Sequence, residues 1–145
     1  MLPSVAAFLE VERQAGLHTL AGHQGFNERV QETKRALLEF LIDARREGKH
    51  IAAYGAPGKG NTLLNYCGIR EDFIEYAVDR NPYKHGRFTP GTRIPIYSPE
   101  RLAETKPDYI VILPWNLKNE IIEQLQYARA WGAKFVVPIP TLEVL

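Results

Sequence analysis

A chain of 145 residues that is 45% hydrophobic and 24% charged has the length and composition of one globular domain. Its 18 basic and 17 acidic residues leave a net charge of +1, so the composition gives no general attraction to nucleic acid or anionic membranes. No run approaches the roughly 18 apolar residues of a membrane span, and the acids within residues 1–14 do not fit a signal peptide. Cys67 is the only cysteine, which rules out an internal disulfide and favours a reducing, cytoplasmic location.

The first third of the chain is predicted to be helical. An amphipathic pattern predicts a short helix within residues 1–16, and three glycines between residues 16 and 25 then indicate a loop. A second helix of about six turns follows, and Gly48 stands where a helix commonly ends. The apolar residues that recur at three-to-four spacing in this second helix are Phe26, Val30, Leu37, Leu38, Leu41 and Ile42.

From residue 49 onward, short apolar strands alternate with helices. The first intervening helix is predicted at residues 62–67, with Gly68 expected to end it, and Ser98 and Asn116 are expected to begin two later helices. Near-continuous apolar strands separated by helices are typical of a parallel sheet that is covered on both faces. The strands are predicted at residues 51–54, 74–78, 109–113 and 135–137.

These elements predict a single α/β domain over residues 1–145. Residues 1–48 would be a helical lead-in of two helices. Residues 49–145 would form a Rossmann-like core, a parallel sheet of about four or five strands with helices on both faces.

A glycine-rich turn follows the first predicted strand, at the edge of the sheet where ligands of open α/β folds bind. Glycines allow backbone N–H groups to approach an anion closely, the start of the next helix adds partial positive charge, and the lysine adds a full one. The turn therefore suits a phosphate, a diphosphate or a carboxylate. Its residues are Gly55, Ala56, Pro57, Gly58, Lys59, Gly60 and Asn61.

The spacing of the turn matches no standard nucleotide-binding motif. The glycines lie at i, i+3 and i+5, whereas a dinucleotide fingerprint needs i, i+2 and i+5, and a P-loop needs Ser or Thr after its lysine. A tight strand-to-helix turn whose glycines serve geometry alone remains the alternative. Asp79, at the end of the second predicted strand, has two equally weighted interpretations: a hydroxyl acceptor for a nucleotide or sugar, or a cap of the following turn.

Residues 80–97 form a long connection that carries five basic residues and no acid, with aromatic residues between them. The connection could close over an anionic ligand, to which Lys84 and Arg87 would contribute, or it could be a solvated basic loop. Trp115 follows the third predicted strand at the same edge of the sheet. Its ring could stack on a base or sugar, although covering the end of the sheet is the more common role.

No pattern in the sequence predicts a catalytic residue or a metal site. The four histidines show no metal-binding spacing, and there is no cysteine pair. Cys67 lies on the apolar side of its helix and is expected to be a small buried residue rather than a nucleophile. No pair of carboxylates suggests acid–base catalysis.

Three consecutive blocks of the sequence are distinctive: YGAPGKGNTLLNYCGI (54–69), VDRNPYKHGRFTPGTRIPIYSPERL (78–102) and PDYIVILPWNLKNEI (107–121). Together they resemble the C-terminal domain of S-adenosylmethionine-dependent sugar C-methyltransferases. In that family an N-terminal part binds zinc, a middle part binds the methyl donor, and a Rossmann-like C-terminal part helps hold a nucleotide-linked keto-sugar. The resemblance implies that residues 55–61 face the substrate, with nearby cations binding its diphosphate.

The departures from the complete family pattern limit what this chain could do alone. It has no cysteine set for zinc, and Ala53 and Tyr54 stand where a methyl-donor domain has an acidic strand before its glycines. The resemblance therefore implies that S-adenosylmethionine and zinc belong to upstream domains and that this domain is inactive by itself. Its expected partners are the upstream donor-binding domain and the sugar nucleotide, with no nucleic acid and no membrane.

Two other functions remain open at this point. One is a stand-alone nucleotide-binding module for NAD or coenzyme A, which the glycine spacing disfavours. The other is a scaffold that binds a partner domain and no ligand. A scaffold predicts a large apolar docking surface with an empty carboxyl edge, whereas a substrate domain predicts a cleft at that edge lined by residues 55–61.

Overall fold

The computed structural model describes residues 3–145, which fall into two compact units, Met1–Glu32 and Thr33–Leu145. The helices are α1 (Pro3–Gln14), α2 (Leu20–Arg46), α3 (Gly58–Cys67), α4 (Arg101–Thr105) and α5 (Lys118–Gln124). The strands are β1 (Ile51–Tyr54), β2 (Tyr76–Val78), β3 (Ile96–Tyr97), β4 (Tyr109–Ile112), β5 (Lys134–Val137) and β6 (Glu143–Val144). Short 3-10 helices span Pro82–Lys84, Trp115–Leu117 and Gln126–Trp131.

One six-stranded sheet organises the second unit, in the order β3-β2-β1-β4-β5-β6. Strands β1 to β5 pair in parallel with their neighbours, and only β6 is antiparallel, against β5. The predicted α/β class and parallel sheet are thus confirmed, and the structure adds two strands of two residues each at the edges. The strand order reverses between β1 and β4, which are neighbours in the sheet but not in the chain.

The side chains of the strands alternate between two apolar layers, one on each face of the sheet. Ile51 and Ala53 of β1 belong to one layer, while Ala52 and Tyr54 belong to the other. The C-terminal part of α2 and helix α3 cover the first layer through residues such as Leu37 and Leu64. Helices α4 and α5 cover the second layer. Burial on both faces explains why these strands read as continuous apolar runs.

Glycines end two helices as the sequence predicted. Gly68 follows α3 in the left-handed conformation, with φ of 69°, and its N–H donates to the carbonyl of Asn65. Gly48 follows α2 with φ of 76°, and the neighbouring Lys49 N–H donates to Ala44 O. Both helix ends therefore satisfy carbonyl groups that would otherwise lack partners.

The loop predicted after α1 is shorter than expected, because Gly22 and Gly25 lie inside α2. The hydroxyl of Thr19 accepts from the N–H of Gly22 at 3.1 Å and donates to the carbonyl of Gly16 at 2.7 Å. A Cβ on Gly22 would lie 2.1 Å from Gly16 O, so the corner between the helices requires glycine there. Close backbone approach, rather than a loop, accounts for this glycine.

The apolar side chains of residues 4–32 do not form a buried core. Among residues 4–32, no side chain is buried, and seven large apolar side chains are exposed. We call them the helical apolar surface: Val5, Phe8, Leu9, Val11, Leu17, Leu20 and Phe26. None of the helices in the described part of the chain is both long and apolar enough to cross a membrane.

The corner between α1 and α2 generates a first prediction. Gly22→Ala should break the Thr19 cap, which is worth about 1–2 kcal/mol, so hydrogen-exchange protection of the first turn of α2 should fall roughly 5- to 30-fold. Gly25→Ala is the matched control. A Cβ there meets only the flexible end of Arg29, at 3.6 Å, so protection should hold or rise. Equal protection in the two variants, measured by NMR, would contradict the close-contact explanation.

Candidate functional site

The candidate site lies at the carboxyl edge of the sheet, where β1, β2 and β4 end side by side. Three segments meet there: the glycine-rich turn after β1, Asp79 after β2, and Pro114 to Asn116 after β4. The reversal of strand order between β1 and β4 opens a crevice at this edge, as in other open α/β sheets.

Two of the three glycines in the turn are required by packing. Gly55 has φ of 85°, and a Cβ on it would lie 2.6 Å from Pro114 Cγ. A Cβ on Gly60 would lie 2.8 Å from Leu113 Cβ. For these two positions, the geometric explanation is sufficient without a ligand.

Gly58 is different, because a Cβ on it would meet nothing within 4 Å. It begins α3, and its neighbours Lys59 and Gly60 complete the first turn of that helix. Asn61 is the first residue whose N–H reaches a carbonyl, that of Pro57, at 3.0 Å. The three preceding N–H groups make no hydrogen bond with the described residues, and Pro57 provides no side-chain cap. Three donors at the positive end of α3 thus lack a partner, and two of them, those of Gly58 and Lys59, belong to exposed residues, whereas Gly60 is buried.

The amides on the other side of the turn are already used by the protein. Gly55 N–H donates to Val78 O at 2.7 Å, and Ala56 N–H donates to the carboxylate of Asp79 at 2.9 Å. The Lys84 ammonium donates to Ala56 O and to Asp79, each at 3.1 Å. Asp79 and Lys84 therefore hold the turn in place. Both residues were predicted to contact a ligand, and the contacts seen here give each of them a structural role.

The electrostatics of Asp79 follow from these contacts. Burial alone would raise the pKa of its carboxyl, but hydrogen bonds from the amides of Asn81 and Ala56 and from Lys84 outweigh burial, and the pKa lies below its ordinary value. The carboxylate therefore stays ionised at neutral pH and places fixed negative charge at the carboxyl edge.

Lys59 connects α3 to the segment after β4. Its ammonium donates to Asn116 Oδ1 and lies 4.8 Å from the centre of the Trp115 ring. Asn116 was predicted to cap α5, but that prediction is wrong: it lies within the 3-10 helix Trp115–Leu117, and α5 begins after Leu117. The structure therefore brings Lys59 and Trp115 together, as a cation held over an aromatic ring.

Two adjoining clefts, which together we call the crevice, open beside the turn on the α5 face of the sheet. Their volumes are about 280 and 470 Å³, and Tyr54, Arg80 and Gln124 line both. Of the turn residues 55–61, Gly55 lines the crevice and the other six do not. Sequence reasoning missed Tyr54 and Gln124, because only the strand order brings β1 and α5 to one cleft.

The long basic connection is folded rather than open. Residues 88 and 95 pair across it, and the buried hydroxyls of Thr89 and Thr92 bond to each other. Its tip is anchored on α3, where Asn65 donates to Pro90 O at 2.9 Å. Arg87 is exposed and lines neither cleft of the crevice.

Cys67 is placed for packing rather than for reactivity. Cys67 is buried in the apolar layer under α3, and burial raises the pKa of its thiol, which disfavours the reactive thiolate. Among residues 3–145, no group of three histidine, cysteine or acidic side chains is arranged to hold a metal ion.

Comparison with known proteins identifies the family. The profile of the C-methyltransferase C-terminal domain matches residues 1–140. The chain belongs to this family. It is 37% identical to the C-methyltransferase NovU of Streptomyces niveus over 143 residues, which cover 99% of this chain and 34% of NovU. The chain thus spans about a third of the length of that relative.

A solved structure resembles this C-methyltransferase C-terminal domain more distantly. The crystal structure of UDP-D-quinovosamine 4-dehydrogenase from Vibrio fischeri aligns with a TM-score of 0.47 at 21% identity. The alignment covers 67% of this chain and 93% of the dehydrogenase.

The contrast between two glycines can be tested directly on the stability of this C-methyltransferase C-terminal domain. Gly55→Ala should destabilise the fold by about 2–4 kcal/mol, because a Cβ there is strained and meets Pro114. Gly58→Ala should be neutral or stabilising by about 0.4–1 kcal/mol, since nothing surrounds it. Urea unfolding measures both. A similar loss in the two variants would show that Gly58 also serves packing.

The Asp79 contacts predict a pH dependence of stability. Because folding lowers this pKa, the carboxylate stabilises the fold above its ordinary pKa, and the contribution is lost as pH falls through the lowered value. Asp79→Asn should cost about 1–3 kcal/mol near neutral pH, and the difference from the parent should shrink below about pH 4. Asp72→Asn, at an exposed position before β2, is the control. A stability difference that stays constant from neutral to acid pH would exclude this role.

Proposed function

We propose that this domain holds a nucleotide-linked keto-sugar at its carboxyl edge and positions it for methyl transfer. The observation that carries the proposal is the first turn of α3, which has N–H groups without a partner at Gly58 to Gly60 and also contains Lys59, whose ammonium is bonded to Asn116. Membership of the C-methyltransferase C-terminal domain family supports a role in methyl transfer. That the ligand is a sugar nucleotide is inferred from the resemblance of the sequence to the family.

A diphosphate matches this first turn chemically. Its oxygens accept hydrogen bonds, and open amides at a helix N-terminus supply both donors and partial positive charge. The missing side chain of Gly58 leaves room for an oxygen to approach the backbone. Lys59 adds a full charge, and its contact with Asn116 is one that a diphosphate could replace.

The contribution of this domain would be orientation rather than chemistry. Binding energy from the diphosphate, remote from the reacting carbon, would fix the sugar so that one carbon meets the donor methyl group. The described residues fit neither zinc, for which Cys67 is single and buried, nor the methyl donor, because β1 ends in Tyr54 rather than an acid. Both groups would belong to other parts of a longer protein, and the isolated domain should not transfer methyl groups.

The helical apolar surface would face that other part. A C-terminal domain family implies a partner domain, and this chain spans 34% of NovU. Seven large apolar side chains between residues 5 and 26 remain exposed, and none of residues 4–32 is buried. Exposed apolar clusters of this kind mark interaction surfaces. The chain has both an exposed apolar surface and a cleft, so docking to a partner domain and substrate binding would be compatible functions of one domain.

The role of Lys59 can be tested by binding. Titration of the chain with a nucleoside diphosphate sugar, followed by NMR amide shifts, should move Gly58, Lys59 and Gly60. Lys59→Ala should weaken binding roughly tenfold, equivalent to about 1.4 kcal/mol, and should reduce its sensitivity to salt. Lys134→Ala, an exposed lysine at the opposite edge of the sheet, is the matched control.

Three results would contradict the proposal. The first is undetectable binding of the sugar nucleotide at millimolar concentration, and the second is unchanged binding by the Lys59→Ala variant. The third is tighter binding of NAD than of the sugar nucleotide, which would favour a dinucleotide-binding module instead.

A further inference from the structure

We infer that the folded basic connection, residues 80–97, carries a docking surface for an acidic protein that binds transiently. Two arginines and two aromatic residues form this surface, and we call them the basic docking set: Tyr83, Arg87, Phe88 and Arg93. The inference stands apart from the proposed function, because none of the four lines the crevice or belongs to the first turn of α3.

The charge of the basic docking set is not balanced within the protein. The connection contains five basic residues and no acid. Its Lys84 is bonded to Asp79. By contrast, Arg87 and Arg93 are exposed, and their guanidinium groups make no hydrogen bond or ion pair with the described residues. Two exposed charges of one sign without a counter-charge attract an acidic surface.

The aromatic members of the set are exposed without a covering group. Tyr83 is 83% exposed and Phe88 is 61% exposed. Tyr97, in the same connection, shows the contrast, because the guanidinium of Arg101 lies 4.7 Å from the centre of its ring. Tyr83 and Phe88 have no such contact with a ring or a cation in the described part of the chain. Aromatic residues and arginine are the residue types enriched at protein interfaces.

The backbone that carries the set is fixed by hydrogen bonds. The N–H of Ile96 donates to the carbonyl of Arg87 at 2.9 Å, and the N–H of Arg87 donates to the carbonyl of Lys84 at 3.2 Å. The N–H of Arg93 donates to the carbonyl of Thr89 at 3.0 Å. The four side chains therefore stand on one ordered segment, and a surface that is ordered before binding loses less entropy when a partner docks.

The composition of the set distinguishes a protein from other anionic partners. A small anion needs a concave site, and the set lines no part of the crevice. A nucleic acid needs widespread positive charge, whereas the whole chain has a net charge of +1. A protein surface with carboxylates matches the arginines, which bind carboxylates through two hydrogen bonds, and it also buries the aromatic rings.

The small size of the set favours a transient complex. Four anchoring residues are far fewer than the roughly 20–30 residues that each side of a stable interface contributes. Charge that attracts a partner over a distance mainly raises the rate of association, and salt weakens it. A partner that meets this surface is therefore expected to bind quickly, weakly and in a salt-dependent way.

An acidic peptide tests the inference on the chain as it is. A peptide of alternating glutamate and tyrosine should shift the NMR amide signals of residues 83–93, and the affinity should fall as salt is added. Arg87→Glu should lower the affinity roughly fivefold or more. Arg70→Glu is the matched control, because Arg70 is an exposed arginine outside the connection and its substitution changes the net charge equally. The control should bind the peptide nearly as the parent does.

A second variant tests the aromatic contribution at constant charge. Tyr83→Ser removes a side chain that is almost fully exposed, so the fold should persist, and the affinity for the peptide should fall. The amide spectrum of each variant checks that it is folded. Unchanged affinity in the Tyr83→Ser variant contradicts the inference.

Three further results would overturn the inference. The first is equal weakening by Arg87→Glu and Arg70→Glu, which would reduce binding to the general charge of the chain. The second is equally tight binding of a peptide in which glutamine replaces glutamate. The third is tighter binding of a single-stranded thymidine oligonucleotide than of the acidic peptide, which would identify nucleic acid as the partner instead.

Discussion

The carboxyl edge of this domain depends on one carboxylate. Asp79, at the end of β2, accepts hydrogen bonds from Ala56, Asn81 and Lys84, and so ties the turn after β1 to the segment after β2. In dinucleotide-binding folds an acid near this place is available to a ribose hydroxyl. Here the protein itself uses that carboxylate, and the N–H groups without a partner lie in the first turn of α3, while Asp79 also lines the crevice.

Much of the fold could be predicted because burial leaves a direct trace in the sequence. The strand predicted at 51–54 matches β1 residue for residue, since all four side chains are buried. Strands β3 and β6 were missed, because two-residue strands carry no periodic pattern and exist only through pairing with a neighbour. Helix α3 begins at Gly58 rather than at residue 62, because glycines that read as a turn are its first helical residues.

The position of the candidate site could be predicted from the sequence, but the role of each of its residues could not. The glycine-rich turn was recognised, yet its spacing could not show that the amides of Gly55 and Ala56 are occupied while those of Gly58 to Gly60 are open. Asp79 and Lys84 were candidates for ligand contact, and only coordinates show that they bond to each other. The crevice was invisible because it arises from the reversal of strand order between β1 and β4.

The first unit also combines groups that are bonded within the protein with apolar side chains that remain exposed. Thr19, Gly16 and Gly22 build a specific corner between α1 and the N-terminal part of α2, in a stretch, residues 4–32, where no side chain is buried. Helices in proteins gain most of their stability from packing an apolar face, and the apolar face of residues 4–32 remains exposed here. Under the function proposed here, the unpartnered amides of α3 would receive an anion and the helical apolar surface would face a protein. Such a domain would hold a ligand and a second domain at once, which is what positioning a substrate for another active site requires.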